Sequence, residues 1–397
     1  MKQLRLLACA GVLAVLAACT SEQKTSETTG EEASSNAIEV SEIPAAALAE
    51  VKKETGRDGV SARPIYEPGS FEPAYYEVQL GPGWAVVRAP SETNPEAHVV
   101  EWGTSGRSPT ERLDLGARAA MKRVYRLDTA VYVAVDPLGK AVGRSTKSLV
   151  KIDRSGDEPK FIEVTNDEAL VTWRAERSNL VAAQRKNAGR DLLRTQDTPL
   201  IGSTPPEKTC AVKGDVPSYT QLSPGEGPNT TSCASGCGPT AWATVFGWAS
   251  RRAAEDTGFA GLFSAPAPLT MSPEIGQLSM DLNHLVHTMC VGDQGATTPW
   301  SMAEVKRWVS ARAPNVTVEQ RYNFLMTPDP AIRDATVDVL CDGRPAIVGI
   351  GSLFGGDGHY PIAKGYSNGK FELEMGWGGD GNGWYDANTW YVGTIKH

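Results

Sequence analysis

The chain of 397 residues is poor in positive charge, in histidine and in long apolar runs. With 39 Lys and Arg against 47 Asp and Glu, its formal charge is −8. That balance argues against nucleic acid or an anionic membrane surface as the main partner. The apolar run near the N-terminus, Leu6 to Ala18, is too short to cross a bilayer. Five histidines are available as ligands or bases. His284 and His287 lie three apart, but no third ligand follows at a recognisable spacing, and a polar helix face accounts for them better than a metal pair. No metal and no cofactor is therefore expected. There is no internal repeat, and 397 residues suffice for two domains of ordinary size.

What is present begins with an export signal. Lys2 and Arg5 precede the Leu6–Ala18 run, which ends in Leu16-Ala17-Ala18-Cys19. Small residues directly before a cysteine match the bacterial lipobox, in which that cysteine is acylated and becomes the new N-terminus. Residues 1–18 read as a lipoprotein signal peptide and Cys19 as the lipid carrier. Loss of Lys2 and Arg5 takes the formal charge from −8 to −10. The segment "TSEQKTSETTGEEASSNA" has nothing to bury and reads as a tether. Residues 19–59 are assigned to the anchor and tether, with a short helical pattern around "IPAAALAEVKKETG". Thr20 and Ser21 lack the aspartate that favours inner-membrane retention in lipoproteins of this kind, so an outer membrane is expected where the host has one.

Export bears on the cysteines. Of seven, Cys9 leaves with the signal and Cys19 carries lipid, leaving Cys210, Cys233, Cys237, Cys290 and Cys341. An odd number in an oxidising compartment suggests one free thiol beside two possible disulfides.

Residues 60–195 read as mainly β. "AYYEVQL", "WAVVRAP" and "HVVEWG" are strand-like, and "AVYVAVDPLGKAVGRS" is a hairpin with its turn at Asp136–Gly139. "KFIEVTNDEALVTW" suggests another hairpin, and residues 177–195 are helix-compatible. The Thr-, Pro- and Gly-rich stretch at 196–208 is placed as a linker. Beyond it, in 209–397, helical patterns at 238–255, 273–288 and 301–312 precede the strands "RPAIVGIG", "HYPIAKGY" and "KFELEMGW". Helices followed by an antiparallel sheet make an α+β layout.

The segment "TSCASGCGPTAWATVFGWAS", 231–250, carries the chemistry. A helix N-terminus favours a thiolate, and Cys237 stands at one. Gly238 permits close backbone approach, Pro239 is expected at the first helical position, and the following apolar residues predict a buried helix. Cys233 precedes the helix in a Ser/Thr-rich loop and suits a disulfide. For a base, His359 follows a glycine-rich loop and opens an apolar strand. On its own it reads equally as a loop histidine at a strand edge.

"SGCGPTAWA", followed by "GRPAIVGI", "GHYPIAKGY" and "FELEMGWGGDGNGWY", resembles the streptopain-like cysteine peptidases of the papain fold over about residues 215–395. Bacteriocin-processing-type peptidases share the Cys-Gly-Pro-Thr and Gly-His-Tyr elements. The resemblance implies a papain-like C-terminal domain, with a central cysteine-bearing helix packed on an antiparallel sheet. It also implies Cys237 as nucleophile, His359 as base and later acid, and Gln221 as an oxyanion donor. Where the family has Asn to orient the imidazole, this chain has Glu374, and Met375 stands at the usual tryptophan. Glu374 is the expected orienter, Asp380 its backup, and Trp377 a shield for the histidine. Pro361 suggests an edge or bulge, and Lys364 stands where the family more often has a small or acidic residue.

"YYEVQLGPGWAVVRAPSETNPEAHVVEWGTSGRSPTE" is similar to a streptopain-type propeptide. Residues 60–195 are then either an inhibitory segment removed at 196–208 or a permanent partner. Cysteine pairing under the same resemblance is Cys210 with Cys233 and Cys290 with Cys341, leaving Cys237 free. The expected activity is peptide-bond hydrolysis on a peptide or protein substrate by a lipid-anchored enzyme of the cell envelope. An amidase or acyltransferase on the same fold, and an inactive surface-binding lipoprotein, are the alternatives.

Overall fold

The computed structural model describes residues 37–397 apart from 93, 114–120, 139, 145–149, 154–159, 164–207, 292, 324–327 and 352–357. The signal peptide, Cys19, most of the tether, the helix-compatible 177–195 and all but the last residue of the 196–208 linker lie outside the described residues.

The described chain is a mixed α+β fold dominated by sheet. Its N-terminal part opens with helix α1, Ala45–Thr55, which ends at Gly56 in the left-handed region (φ 71°). Ala47 and Val51 bury one stripe of it. Strands β1 (Ser61–Tyr66), β2 (Pro73–Gln79), β3 (Trp84–Arg88) and β4 (His98–Gly103) follow. Next come β5 (Arg123–Asp128), β6 (Val131–Val135), β7 (Ala141–Arg144), β8 (Val150–Asp153) and β9 (Lys160–Glu163). The hairpin read at 130–145 is β6–β7. Asp136 closes it by accepting from the Leu138 and Lys140 amides at 2.8 and 2.9 Å. Lys160–Glu163 pairs with Val150–Asp153, the strand before it.

The C-terminal part begins with β10 (Cys210–Ala211), helix α2 (Cys237–Arg252) and helix α3 (Pro273–Leu285). A hairpin of β11 (Met289–Val291) and β12 (Gln294–Ala296), helix α4 (Val305–Arg312) and β13 (Thr317–Tyr322) come next. Helix α5 (Pro330–Cys341) precedes β14 (Ala346–Gly349), β15 (Ile362–Ser367), β16 (Lys370–Glu374), β17 (Gly383–Tyr385) and β18 (Tyr391–Lys396). Pro361 stands just before β15, its carbonyl accepting from Val348 at 2.9 Å. The β15–β16 register shifts between Ala363 and Gly365. The proline thus precedes an interior strand, and the bulge lies within that strand.

Among the described residues one sheet runs through both parts, in the order β13-β18-β14-β15-β16-β17-β4-β3-β2-β1-β5-β6-β7, with β10 added to β15. The junction is β17 against β4, antiparallel, with Trp384 opposite Trp102 and Tyr385 opposite Glu101. Those two tryptophans stack with centroids 6.3 Å apart. One hydrophobic cluster also crosses the junction, joining Trp84, Val100 and Tyr132 to Phe371, Leu373 and Tyr385. A second cluster surrounds α2, α3 and α4.

Lys370 is buried at the start of β16 and pairs with Glu54 of α1 at 3.0 Å, the two side chains 4% and 14% exposed. Removing one partner of a buried pair strands the other charge. Glu54→Ala is expected to cost about 3 kcal/mol in urea unfolding. Replacing both, as in Glu54→Leu with Lys370→Met, should recover most of that loss.

Candidate active site

Helix α2 starts at Cys237 because the preceding chain is pinned there. The Asn229 side chain donates to the Ser223 and Cys233 carbonyls, each at 3.0 Å. Ser235 accepts the Leu222 amide at 2.9 Å, and the Asn283 amide of α3 donates to the Ser235 carbonyl at 2.8 Å. Gly236 takes φ 94°, and a Cβ there would lie 3.0 Å from Thr288 and 3.1 Å from the Gly295 carbonyl. The β11–β12 hairpin therefore lies directly against the helix start. Pro239 is the third helical residue and not the first. A proline is tolerated there because first-turn amides have no intrahelical acceptor to lose.

Two disulfides frame this region. Cys233 joins Cys290 of β11 (Cα–Cα 5.5 Å), and Cys210 joins Cys341 at the end of α5 (4.8 Å). This corrects the pairing of Cys210 with Cys233 and of Cys290 with Cys341. The reason is topological: β10 lies against β15 with Cys210 opposite Tyr366, and the Lys213 amide donates to Gly343 just past α5. The β11 hairpin, meanwhile, lies beside the loop that leads into α2. Among the described residues, Cys237 is the free cysteine.

His359 exchanges both backbone hydrogen bonds with Ile350 at 3.0 Å. Its Nε2 lies 2.8 Å from the Met375 carbonyl. A carbonyl only accepts, so Nε2 carries the proton and Nδ1 is left as the acceptor. The ring stacks on Trp377, centroids 4.9 Å apart at 24°. Tyr360, next in the chain, turns its backbone N–H toward the Cys237 sulfur, which also faces the N–H groups of Cys237 and Gly238.

Neither candidate orienter meets the imidazole. Glu374 accepts from the Ser218 hydroxyl at 2.9 Å and from the Asn382 amide, and burial raises its carboxyl above the usual range. Asp380 pairs with Arg107 of the N-terminal part, 3.0 Å from its Nε. The chain just past β16 instead presents a main-chain oxygen to the ring, that of Met375. Gln221 reaches the same loop through its backbone, donating to the Gly376 carbonyl at 3.2 Å. A niche of about 10 Å³, with room for roughly one water molecule, is bounded by Cys237, Thr240, Thr244, Tyr360, Glu374 and Gly376. His284 closes the last turn of α3 and His287 lies beyond it at φ 50°.

Burial pushes the Cys237 thiol up to about 11, against the pull of the three backbone N–H groups. Burial also pushes His359 down to about 4; the Met375 carbonyl opposes this and the nearby Arg112 cation adds to it. At neutral pH the pair is a thiol and a neutral imidazole. The arrangement suits nucleophilic attack on an acyl carbon.

Comparison with known proteins adds little. No family model matches the chain, and no curated protein matches it. Solved structures similar to it include a prointerpain A fragment of Prevotella intermedia, at 13% identity and TM-score 0.40, covering 84% of this chain and 97% of that one. Active wild-type interpain A cysteine protease of the same organism matches at 15% identity and TM-score 0.30, covering 49% and 98%. Likeness at this level carries no argument about activity.

Several contributors are invisible in the motifs. Arg112 lies 5.4 Å from the Trp377 ring and 5.7 Å from that of Trp84. The segment that carries it is fixed by buried Glu77, which accepts from the Ser108 hydroxyl and the Thr110 amide, each at 2.9 Å. The N-terminal part thus places a cation behind the tryptophan that covers His359. Arg112→Met keeps the apolar contact and removes the charge, which should raise the histidine's proton affinity. Iodoacetamide labelling of Cys237 should be slow at pH 7 and climb toward about 11. In Arg112→Met it should climb at lower pH, and an unchanged profile would exclude an electrostatic role.

Proposed function

We propose that this protein is an exported, lipid-anchored cysteine peptidase with a papain-like catalytic arrangement. The observation that carries the reading is the free thiol at a buried helix start, met by the backbone N–H of Tyr360, the residue after a histidine whose Nε2 is committed to a carbonyl and whose Nδ1 is left as the acceptor. In the reaction, Cys237 gives its proton to His359 Nδ1 and the sulfur attacks the peptide carbonyl carbon. The oxyanion is met by the Cys237 backbone N–H and the Gln221 side-chain amide, donors that typically contribute ~10²–10³ in rate. His359 then protonates the leaving amine, leaving a thioester on Cys237. Water attacks the thioester, its proton passes to His359, and the acid product leaves as the thiol re-forms.

The N-terminal part is read as a permanent partner and not as a removable propeptide. The ladder between β4 and β17 supports this, as do the shared hydrophobic cluster and the buried Lys370–Glu54 pair. Stripping that part away would expose apolar surface and a raw sheet edge together.

Cys237→Ala should abolish labelling by a thiol-directed activity probe and lower peptide turnover at least about 10⁴-fold. Cys233→Ser should keep the labelling and lose stability. A Cys237→Ala protein that still labels would overturn the assignment. Cys19→Ser should no longer partition with membranes, which fractionation and immunoblotting read directly. Protease nicking within the Thr-, Pro- and Gly-rich stretch 196–208 should leave two pieces that co-elute in size-exclusion chromatography without loss of activity. Separation of the pieces with activity retained by one alone would make the N-terminal part a propeptide.

A further inference from the structure

We infer that Glu374 is a positioning residue that holds the segment bearing Gln221 and the peptide unit that accepts from His359 in a fixed relation. The argument is a closed chain of hydrogen bonds. Glu374 is 4% exposed, and each carboxylate oxygen has a different partner. One accepts from the Ser218 hydroxyl at 2.9 Å, three residues ahead of Gln221. The other accepts from the Asn382 side-chain amide. Asn382 returns through its oxygen, which accepts the Met375 backbone amide at 2.9 Å. The carbonyl of that same Met375 holds His359 Nε2 at 2.8 Å. Across the gap, Thr220 bridges Trp377 and the Gln221 amide donates to Gly376 at 3.2 Å. A single buried side chain therefore ties the segment of the oxyanion donor to the peptide unit that orients the base.

Both oxygens being engaged explains why Glu374 does not reach the imidazole. The bracket itself depends only on donor and acceptor pattern, not on the peptidase reading, which enters only in saying what is positioned. Its logic can be inverted atom by atom. Glutamine at 374 keeps an oxygen for Asn382, and its amide can donate to the Ser218 hydroxyl. Aspartate at 382 still accepts from Met375 but sets a second carboxylate against Glu374. Combining the two lets the glutamine amide donate to the new aspartate while its oxygen accepts from Ser218.

The experiment is hydrogen exchange on the full chain, read at the peptides containing Gln221 and Met375, with thiol-probe labelling of Cys237 in parallel. Glu374→Ala and Asn382→Asp should each exchange about tenfold faster at both peptides, as expected for loss of a buried hydrogen-bonded partner. Their labelling should slow. Asn382→Asp should recover as pH falls, since one proton shared between the carboxylates restores a donor. Glu374→Gln should stay within about threefold of native, and Glu374→Gln with Asn382→Asp should return to that level. Native exchange in Asn382→Asp, or a double variant no better than Asn382→Asp alone, would overturn the bracket. If exchange follows the predicted pattern while even the native protein neither labels nor cleaves peptides, the bracket stands and the peptidase reading falls.

Discussion

Helix α2 has no solvent face, since every residue from Gly238 to Ser250 is buried. A helix enclosed in this way can meet water only at an end, and its first turn is the end where Cys237 keeps a small exposed part. The enclosure comes from the sequence: Ala241, Trp242, Val245, Phe246, Trp248 and Ala249 leave no polar stripe. Phe246 lies between Trp242 and Trp308, with ring centroids at 5.5 and 4.8 Å. Such packing cannot rotate to hide or expose the thiol without tearing out aromatic volume. The unpaired amides of the first turn are thereby delivered to one spot at the surface of the core, and the surrounding loops are arranged around it.

The second constraint is that the imidazole is oriented by a main-chain oxygen. A carbonyl cannot be mutated away and cannot titrate, so the histidine's tautomer is fixed by the path of the strand. The side chains around it are then free to do other work. Asp380 ties the glycine-rich loop to Arg107, and Trp377 roofs the ring. The electrostatic cost is a neutral pair, because a carbonyl stabilises imidazolium less than a carboxylate does while burial penalises both charges.

Much of this was legible from the residues. The buried helix after Cys237, the hairpin at Asp136 and the late antiparallel strands follow from apolar spacing and turn residues. Helix α5 was not among the predicted patterns; its Pro330 occupies the first helical position, capped by Asp329 accepting the Ala331 amide at 2.9 Å. The disulfide partners were also hidden, since they depend on β10 crossing back to β15. The motif register placed a carboxylate where an orienter belongs but could not say which way it points. That direction is set by Ser218 and Asn382, one 156 residues away and the other eight. The contribution of Arg112 is likewise non-local, because it exists only once β4 has paired with β17.

That pairing has a consequence for how the protein can vary. Trp102 and Trp384 share a stack, Asp386 binds His98 at 3.3 Å, and the Asp386 amide donates to the Val100 carbonyl. A change on either side alters the fit of the other, so the two halves of this sequence are not independent modules that could be exchanged with those of distant relatives. Recombination at the junction would bring together edges that have not been fitted to one another, and inheritance of the halves as one reading frame is the arrangement that keeps them matched.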